Sequence, residues 1–383
     1  MRRDPWWWLV AALAIVAIAG CRREVSPDFA SSGKVLALPE EAQAGVRLEM
    51  RDRIGTFAAP KLLADEGTPT AESRKAHARL RKGQEVYQYR CVQCHGANGD
   101  GNGPAAYAMY PKPRDYRKGL FKFTSTPYGA KPVRSDLVRT VTSGVRGTSM
   151  PDFKLLPAEE IDAVVEYVIF LAQRGQLEEQ VADLGEFEGK VTREMVDEEG
   201  IVPSILESWK KANEQQVSPF TPQPVFTADH IRRGKAAFLT KGCSKCHGED
   251  GRGQTPDNLA GNLKDSWGHI TRAADLSSGM LHGGQMPMDI YRRIVSGING
   301  TPMPGFADAL EKEPDTIWDL VSFVLFVSGR RRAGETPAPG PISPYVPGEP
   351  TTAGVLPPGD DESDPEIASL PTSPNDSSTL PGE

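Results

Sequence analysis

Cysteine is scarce in this chain of 383 residues: only 5 are present. Four of them, Cys91, Cys94, Cys243 and Cys246, fall in two short clusters, and Cys21 stands alone. Nothing is left over for a structural disulfide framework. Apolar residues make up 38%, too few for a single large core, so two or three domains with irregular connections are expected. Long apolar runs are missing as well, since the stretch at residues 6–18 is too short to span a bilayer comfortably. Positive charge is the minority, 44 bases against 51 acids, and the imbalance is local. The tail from Arg332 has about 9 acids to 1 base and residues 177–225 about 11 to 4, so the remainder is basic. Glycine and proline are plentiful, at 38 and 33, as suits a chain with many turns and loops.

The opening MRRDPWWWLVAALAIVAIAGC has a short basic start, an apolar middle and a small-residue end, the layout of an export signal. Ile18, Ala19, Gly20 and Cys21 resemble the lipobox of bacterial lipoproteins. That resemblance implies removal of residues 1–20 and acylation of Cys21; a retained signal anchor is the alternative. Both outcomes place the folded part outside the cytoplasm, on the periplasmic side, tethered to a membrane.

The two cysteine clusters, CVQCHGANGDGNG from Cys91 and CSKCHGEDGRGQ from Cys243, belong to an internal repeat. RSDLVRTVTSGVRGTSMPDF at 134–153 matches PMDIYRRIVSGINGTPMPGF at 287–306, with an offset of 152 at the histidines and 153 at the methionines. Helix-like stretches precede each cluster, placing Gly83 and Tyr87 opposite Gly234 and Phe238. Helical periodicity closes each repeat, with Tyr167 and Phe323 equivalent. The reading is mainly α: two tandem helical domains at 70–176 and 226–331, each of about 105 residues. An acidic, partly helical linker spans 177–225. Residues 21–69 read as a tether with a short docking element around KVLALPEEAQAGVRLEM, and the proline-rich acidic tail at 332–383 reads as disordered.

Two cysteines three positions apart on one turn reach the two vinyl groups of a single porphyrin, and the histidine that follows lies beneath the iron. A chance CxxCH should occur on the order of once in a thousand chains of this length, so two at matched places in a repeat are not coincidence. A zinc ribbon needs its second CxxC roughly 15 to 20 residues after the first. A thioredoxin-like pair needs a βαβ context, which neither segment supplies. Two covalently bound heme c groups follow, held by Cys91 and Cys94 with His95, and by Cys243 and Cys246 with His247.

For the opposite face of each iron the repeat offers GTSMP and GTPMP, with Met150 and Met303 lying 55 and 56 residues after their histidines. On these residues both halves resemble monoheme class I cytochrome c domains. The resemblance implies a few helices wrapped on heme with a loop methionine as distal ligand, here Met150 and Met303. Met286 and Met288 rival Met303, and the repeat alignment selects Met303. His77, His230, His269 and His282 would give bis-histidine irons and are scattered instead as surface or capping residues. The glycines after each histidine are expected to let the chain pass close to the porphyrin face. The resemblance also implies a proline carbonyl holding the proximal imidazole, with Pro104 and Pro256 as candidates.

Histidine and methionine ligation raises the reduction potential and leaves no vacant coordination site. The expectation is a membrane-anchored diheme carrier of single electrons in an extracytoplasmic respiratory chain, between a quinol-oxidising complex and a terminal oxidase or reductase. A diheme peroxidase-like enzyme and a fixed heme subunit of a larger dehydrogenase or respiratory complex remain alternatives. The first domain has about 17 bases to 10 acids, which suits an acidic redox partner or anionic lipid beside the anchor. Nucleic acid is dismissed as a partner.

Overall fold

The computed structural model describes residues 29–64 and 70–330. The export-like segment at 1–20, the candidate lipid site Cys21 and the tail at 332–383 lie outside the described residues. Among those described, helices dominate and β contacts are confined to the isolated bridges Gly55–Pro60 and Lys264–Ile270. No described helix is long and apolar enough to cross a membrane.

The chain opens with the single turn α1 (Gly33–Leu36) and with α2 (Glu40–Ile54). The first repeat comprises α3 (Ala71–Arg90), the short α4 (Val92–His95), α5 (Arg134–Ser143) and α6 (Ala158–Glu188). After α7 (Arg193–Glu198) and α8 (Ile201–Lys211), the second repeats the order with α9 (Ala228–Thr240), α10 (Ser244–His247), α11 (Pro256–Ala260), α12 (Pro287–Ser296) and α13 (Asp315–Arg330). Threonine starts the helix before each cysteine cluster. Thr70 accepts from the Ser73 amide, and Thr227 forms a capping box with His230, so orphan amides of the first turn are satisfied.

Each domain is built on one close helix crossing. A Cβ on Gly83 would lie 1.9 Å from the Ala163 carbonyl oxygen, and one on Gly234 would lie 2.0 Å from that of Asp319. Beside each crossing an aromatic pair packs at 5.1 Å between ring centroids, Tyr87 on Tyr167 and Phe238 on Phe323. The equivalences read from the repeat therefore meet in space. Because α4 follows α3 directly, and α10 follows α9 across a short turn, the crossing also sets where each cysteine cluster sits.

The boundary expected at 176/177 falls inside α6, a continuous helix of 31 residues. Its second half buries Leu177, Val181 and Ala182 in the same core as Ala42 and Val46 of α2 and Ile201 and Ile205 of α8. The parts of the expected tether and linker that form α1, α2, α7 and α8 are thus a helical layer on the first domain. Their acidic composition reflects the exposed faces, while the buried faces keep helical spacing. Beyond α8 a strap crosses to the second domain. The Val217 amide donates to the Ser125 carbonyl at 2.8 Å, the Phe220 amide to the Tyr291 hydroxyl at 2.9 Å, and the Trp318 indole to the Thr221 carbonyl at 2.9 Å.

The two domains meet through polar contacts as well. Asn299 accepts from the Gly129 amide at 2.8 Å and donates to the Phe121 carbonyl at 3.1 Å. Arg293 donates to the carbonyls of Lys122 and Thr124, and Arg139 pairs with Asp289 at 2.6 Å.

Gly83→Ala is expected to destabilise the protein by about 1–3 kcal/mol, because the crossing must open to admit a methyl group. Gly33→Ala, with nothing within 4 Å of its Cβ position, is the control and should stay within about 0.5 kcal/mol. Denaturant unfolding followed by helical circular dichroism reads both.

Candidate cofactor sites

In the first domain, Cys91, Cys94, His95 and Met150 all border one cavity. Its apolar walls include Val86, Leu137, Val164 and Val168, contributed by α3, α5 and α6. Among the described residues no cysteine is engaged in a disulfide: Cys91, Cys94, Cys243 and Cys246 are all free. Burial pushes the Cys91 thiol up to about 12 and raises that of Cys243, so both stay protonated at neutral pH.

The imidazoles are fixed in the same way in both domains. His95 Nδ1 lies 3.2 Å from the Arg114 carbonyl oxygen and His247 Nδ1 lies 3.1 Å from that of Ala274. A carbonyl only accepts, so each Nδ1 carries the proton and each Nε2 keeps its lone pair for a metal. Burial lowers His95 to about 4 and shifts His247 in the same direction, so both rings are neutral near pH 7. These partners replace the expected Pro104 and Pro256. The chain doubles back only after the glycine turns, so the carbonyl that reaches the imidazole comes 19 residues later in one domain and 27 in the other.

The glycines after each histidine take up tight turns. Gly99 and Gly101 have φ of 69° and 74°, and Gly251 and Gly253 have φ of 76° and 70°. A Cβ on Gly101 would meet the Pro113 carbonyl at 2.5 Å, and one on Gly103 the Gln93 carbonyl at 2.4 Å. At Gly101 and Gly103 the close approach is backbone to backbone, whereas Gly99 and Gly251 lie against the side chains of Tyr116 and Val327; Gly99, Gly101, Gly251 and Gly253 also hold left-handed conformations that side chains disfavour.

The two methionine loops are bonded alike. Val145 N donates to Met150 O at 3.1 Å, and the Thr148 hydroxyl donates to Val145 O at 2.7 Å while accepting from Met150 N at 3.1 Å. In the second domain Ile298 N donates to Met303 O at 3.1 Å, and the Thr301 hydroxyl donates to Ile298 O at 2.8 Å while accepting from Met303 N at 3.3 Å. Each loop is entered through a glycine at positive φ, Gly144 or Gly297. Each also holds a second such glycine three residues before the methionine, Gly147 or Gly300. Of the rivals, Met286 is the N-cap of α12 and 68% exposed, while Met288 packs on the core.

The donor set fits a covalently attached porphyrin. Two thiols and a neutral imidazole with a free Nε2 share an apolar cavity with a thioether; cationic Lys122 borders the same space, where it suits a carboxylate, and Arg114 lines it and holds His95 through its carbonyl. His282 of the second domain also borders it. Sequence reasoning missed Arg114, Lys122 and His282 in this place, because the repeat pairs residues within domains and carries no signal across the boundary.

Comparison with known proteins places two families on the chain. The model of the cytochrome c oxidase, cbb3-type, subunit III family matches residues 78–168, and the cytochrome c model matches residues 231–328. No curated protein matches. Among solved structures, a chain of the Kuenenia stuttgartiensis reducing HAO-like protein complex aligns at 30% identity with a TM-score of 0.49, over 64% of this chain and 95% of that one.

Thr301→Val removes the hydroxyl that ties the second loop together. Amide exchange at Met303 is expected to quicken about fivefold, matching a net hydrogen bond of about 1 kcal/mol. Exchange at the unaltered Met150 loop should not change.

Proposed function

We propose, from the two cytochrome c domains that the chain carries and the two covalently bound heme c groups they imply, that the protein is a membrane-anchored relay of single electrons in an extracytoplasmic respiratory chain. When bound, each iron supplies a reversible one-electron site. Cys91 and Cys94 would hold the first porphyrin by thioether bonds, as Cys243 and Cys246 would hold the second. His95 and His247, oriented by the Arg114 and Ala274 carbonyls, would supply imidazole Nε2 to the irons. Met150 and Met303 would supply thioether sulfur. A soft thioether favours ferrous iron over ferric, so these ligands place both potentials toward the oxidising end of the chain.

The observation that supports a carrier over a catalyst is the matched bonding of the two methionine loops. An enzyme that activates peroxide needs one iron able to open, and here neither loop is distinguished from the other by its bonding. The anchor is a lipid on Cys21, the donor a quinol-oxidising complex and the acceptor a terminal oxidase or reductase. The basic surface of the first domain favours an acidic partner.

A redox titration followed by absorption tests the carrier. Two low-spin hemes with sulfur-to-iron charge-transfer bands and no carbon monoxide binding in the reduced form are expected. Ready binding by either heme, or turnover of peroxide, would replace the carrier with an enzyme. The anchor has its own test: Cys21→Ala should move the protein from the membrane fraction to the soluble extracytoplasmic fraction, and unchanged membrane retention would exclude lipid attachment at that residue.

A further inference from the structure

Four hydrogen-bond donors gather where the two domains meet, and none has an acceptor among the described residues. Trp267 Nε1 is buried without a partner. The Arg114 guanidinium lies 4.1 Å over the Trp267 ring, and among the described residues it makes no hydrogen bond or ion pair. The Lys122 ammonium and the His282 ring likewise make none among the described residues. Arg114, Lys122 and His282 are half-buried, and Asp265 attracts both Arg114 and Lys122 without bonding either; the fully buried Trp267 N–H costs about 1–3 kcal/mol if no acceptor meets it.

Their placement is crosswise. His282 belongs to the second domain, yet it borders the first domain's cavity beside Lys122. Its Nε2 lies 3.1 Å from the position a Cβ would take on Gly147, in the Met150 loop. Arg114 belongs to the first domain, yet its Nη1 lies 3.4 Å from the corresponding Cβ position on Gly300, in the Met303 loop. The Trp267 ring approaches that same position at 2.5 Å. Gly147 and Gly300 are matched residues of the repeat, so each methionine loop is met at one point by a donor from the opposite domain. Burial and the nearby Lys122 lower the His282 pKa, leaving a neutral ring with one N–H to give.

We propose that the propionate carboxylates of each heme are held partly in trans, by Lys122 with His282 at the first heme and by Trp267 with Arg114 at the second. Each porphyrin brings two propionates, and each seat offers two donors. The carboxylate edges of the two hemes then face each other across the domain boundary, and each domain tunes the potential of its neighbour's iron. This goes beyond the relay reading and holds for either direction of electron flow.

The test uses full-length holoprotein in a Met303→Ala background, where carbon monoxide marks the second heme and the sulfur-to-iron band marks the first. Donors to propionate favour the less positive, reduced iron, so removing one lowers the potential. His282→Ala, made in the second domain, should lower the potential of the first heme. Arg114→Gln, made in the first domain with its carbonyl intact, should lower that of the second. His282→Gln, which keeps a donor, should recover most of the shift. Gln285→Ala removes the 2.8 Å bond from Arg146 at the same boundary without removing any of the four donors, and should leave both potentials unchanged. The proposal is overturned if each substitution moves only its own domain's heme, if neither moves, or if Gln285→Ala shifts them equally. If Met303→Ala fails to bind carbon monoxide, the ligand assignment falls instead. The unaltered chain then decides: two different potentials moving, one for each substitution, supports the seats, and one potential moving with both overturns them.

Discussion

At Gly83 and again at Gly234 a helix crosses the closing helix of its domain so tightly that a methyl group would strike a carbonyl oxygen. Backbone contact at that point fixes the end of α3 and of α9, and with it the turn that carries two thiols and an imidazole. From there each domain needs only to return a carbonyl to the imidazole Nδ1 and a bonded loop to the far side. Arg114 and Ala274 supply the first, and the threonine-tied loops supply the second.

The first domain is larger than its repeat. Its closing helix α6 continues for several turns past the crossing, and α2 and α8 pack on the extension. The strap after α8 then touches both domains before α9 begins. Connections of this kind restrict how the two domains can be arranged, and Asn299, Arg293 and the Arg139–Asp289 pair complete the contact. Much of that contact is borne by residues 121–129 of the first domain and by α12 and the Met303 loop of the second.

Where sequence reasoning went astray, the cause was physical and specific. Residues 177–225 read as an acidic, partly helical linker because composition averages over a helix surface, and in α6 and α8 acidic residues dominate the exposed side while Leu177, Val181 and Ile205 are buried. Pro104 and Pro256 were expected to hold the imidazoles, but hydrogen bonding depends on where the chain returns in space. Of the glycines after each histidine, Gly101 and Gly103 lie against backbone carbonyls, while Gly99 and Gly251 lie against side chains of other elements, a difference that the shared motif does not carry.

Sequence by itself determined the helical character, the twofold repeat, the paired CxxCH clusters and the matched methionines, because each is written in local spacing that survives without coordinates. Tertiary structure alone decided which carbonyl holds each imidazole, that α6 joins the first domain to the layer behind it, and that His282 and Arg114 cross to the neighbouring domain. Those outcomes depend on contacts between residues far apart in the chain, and no periodicity or motif encodes a distance of that kind.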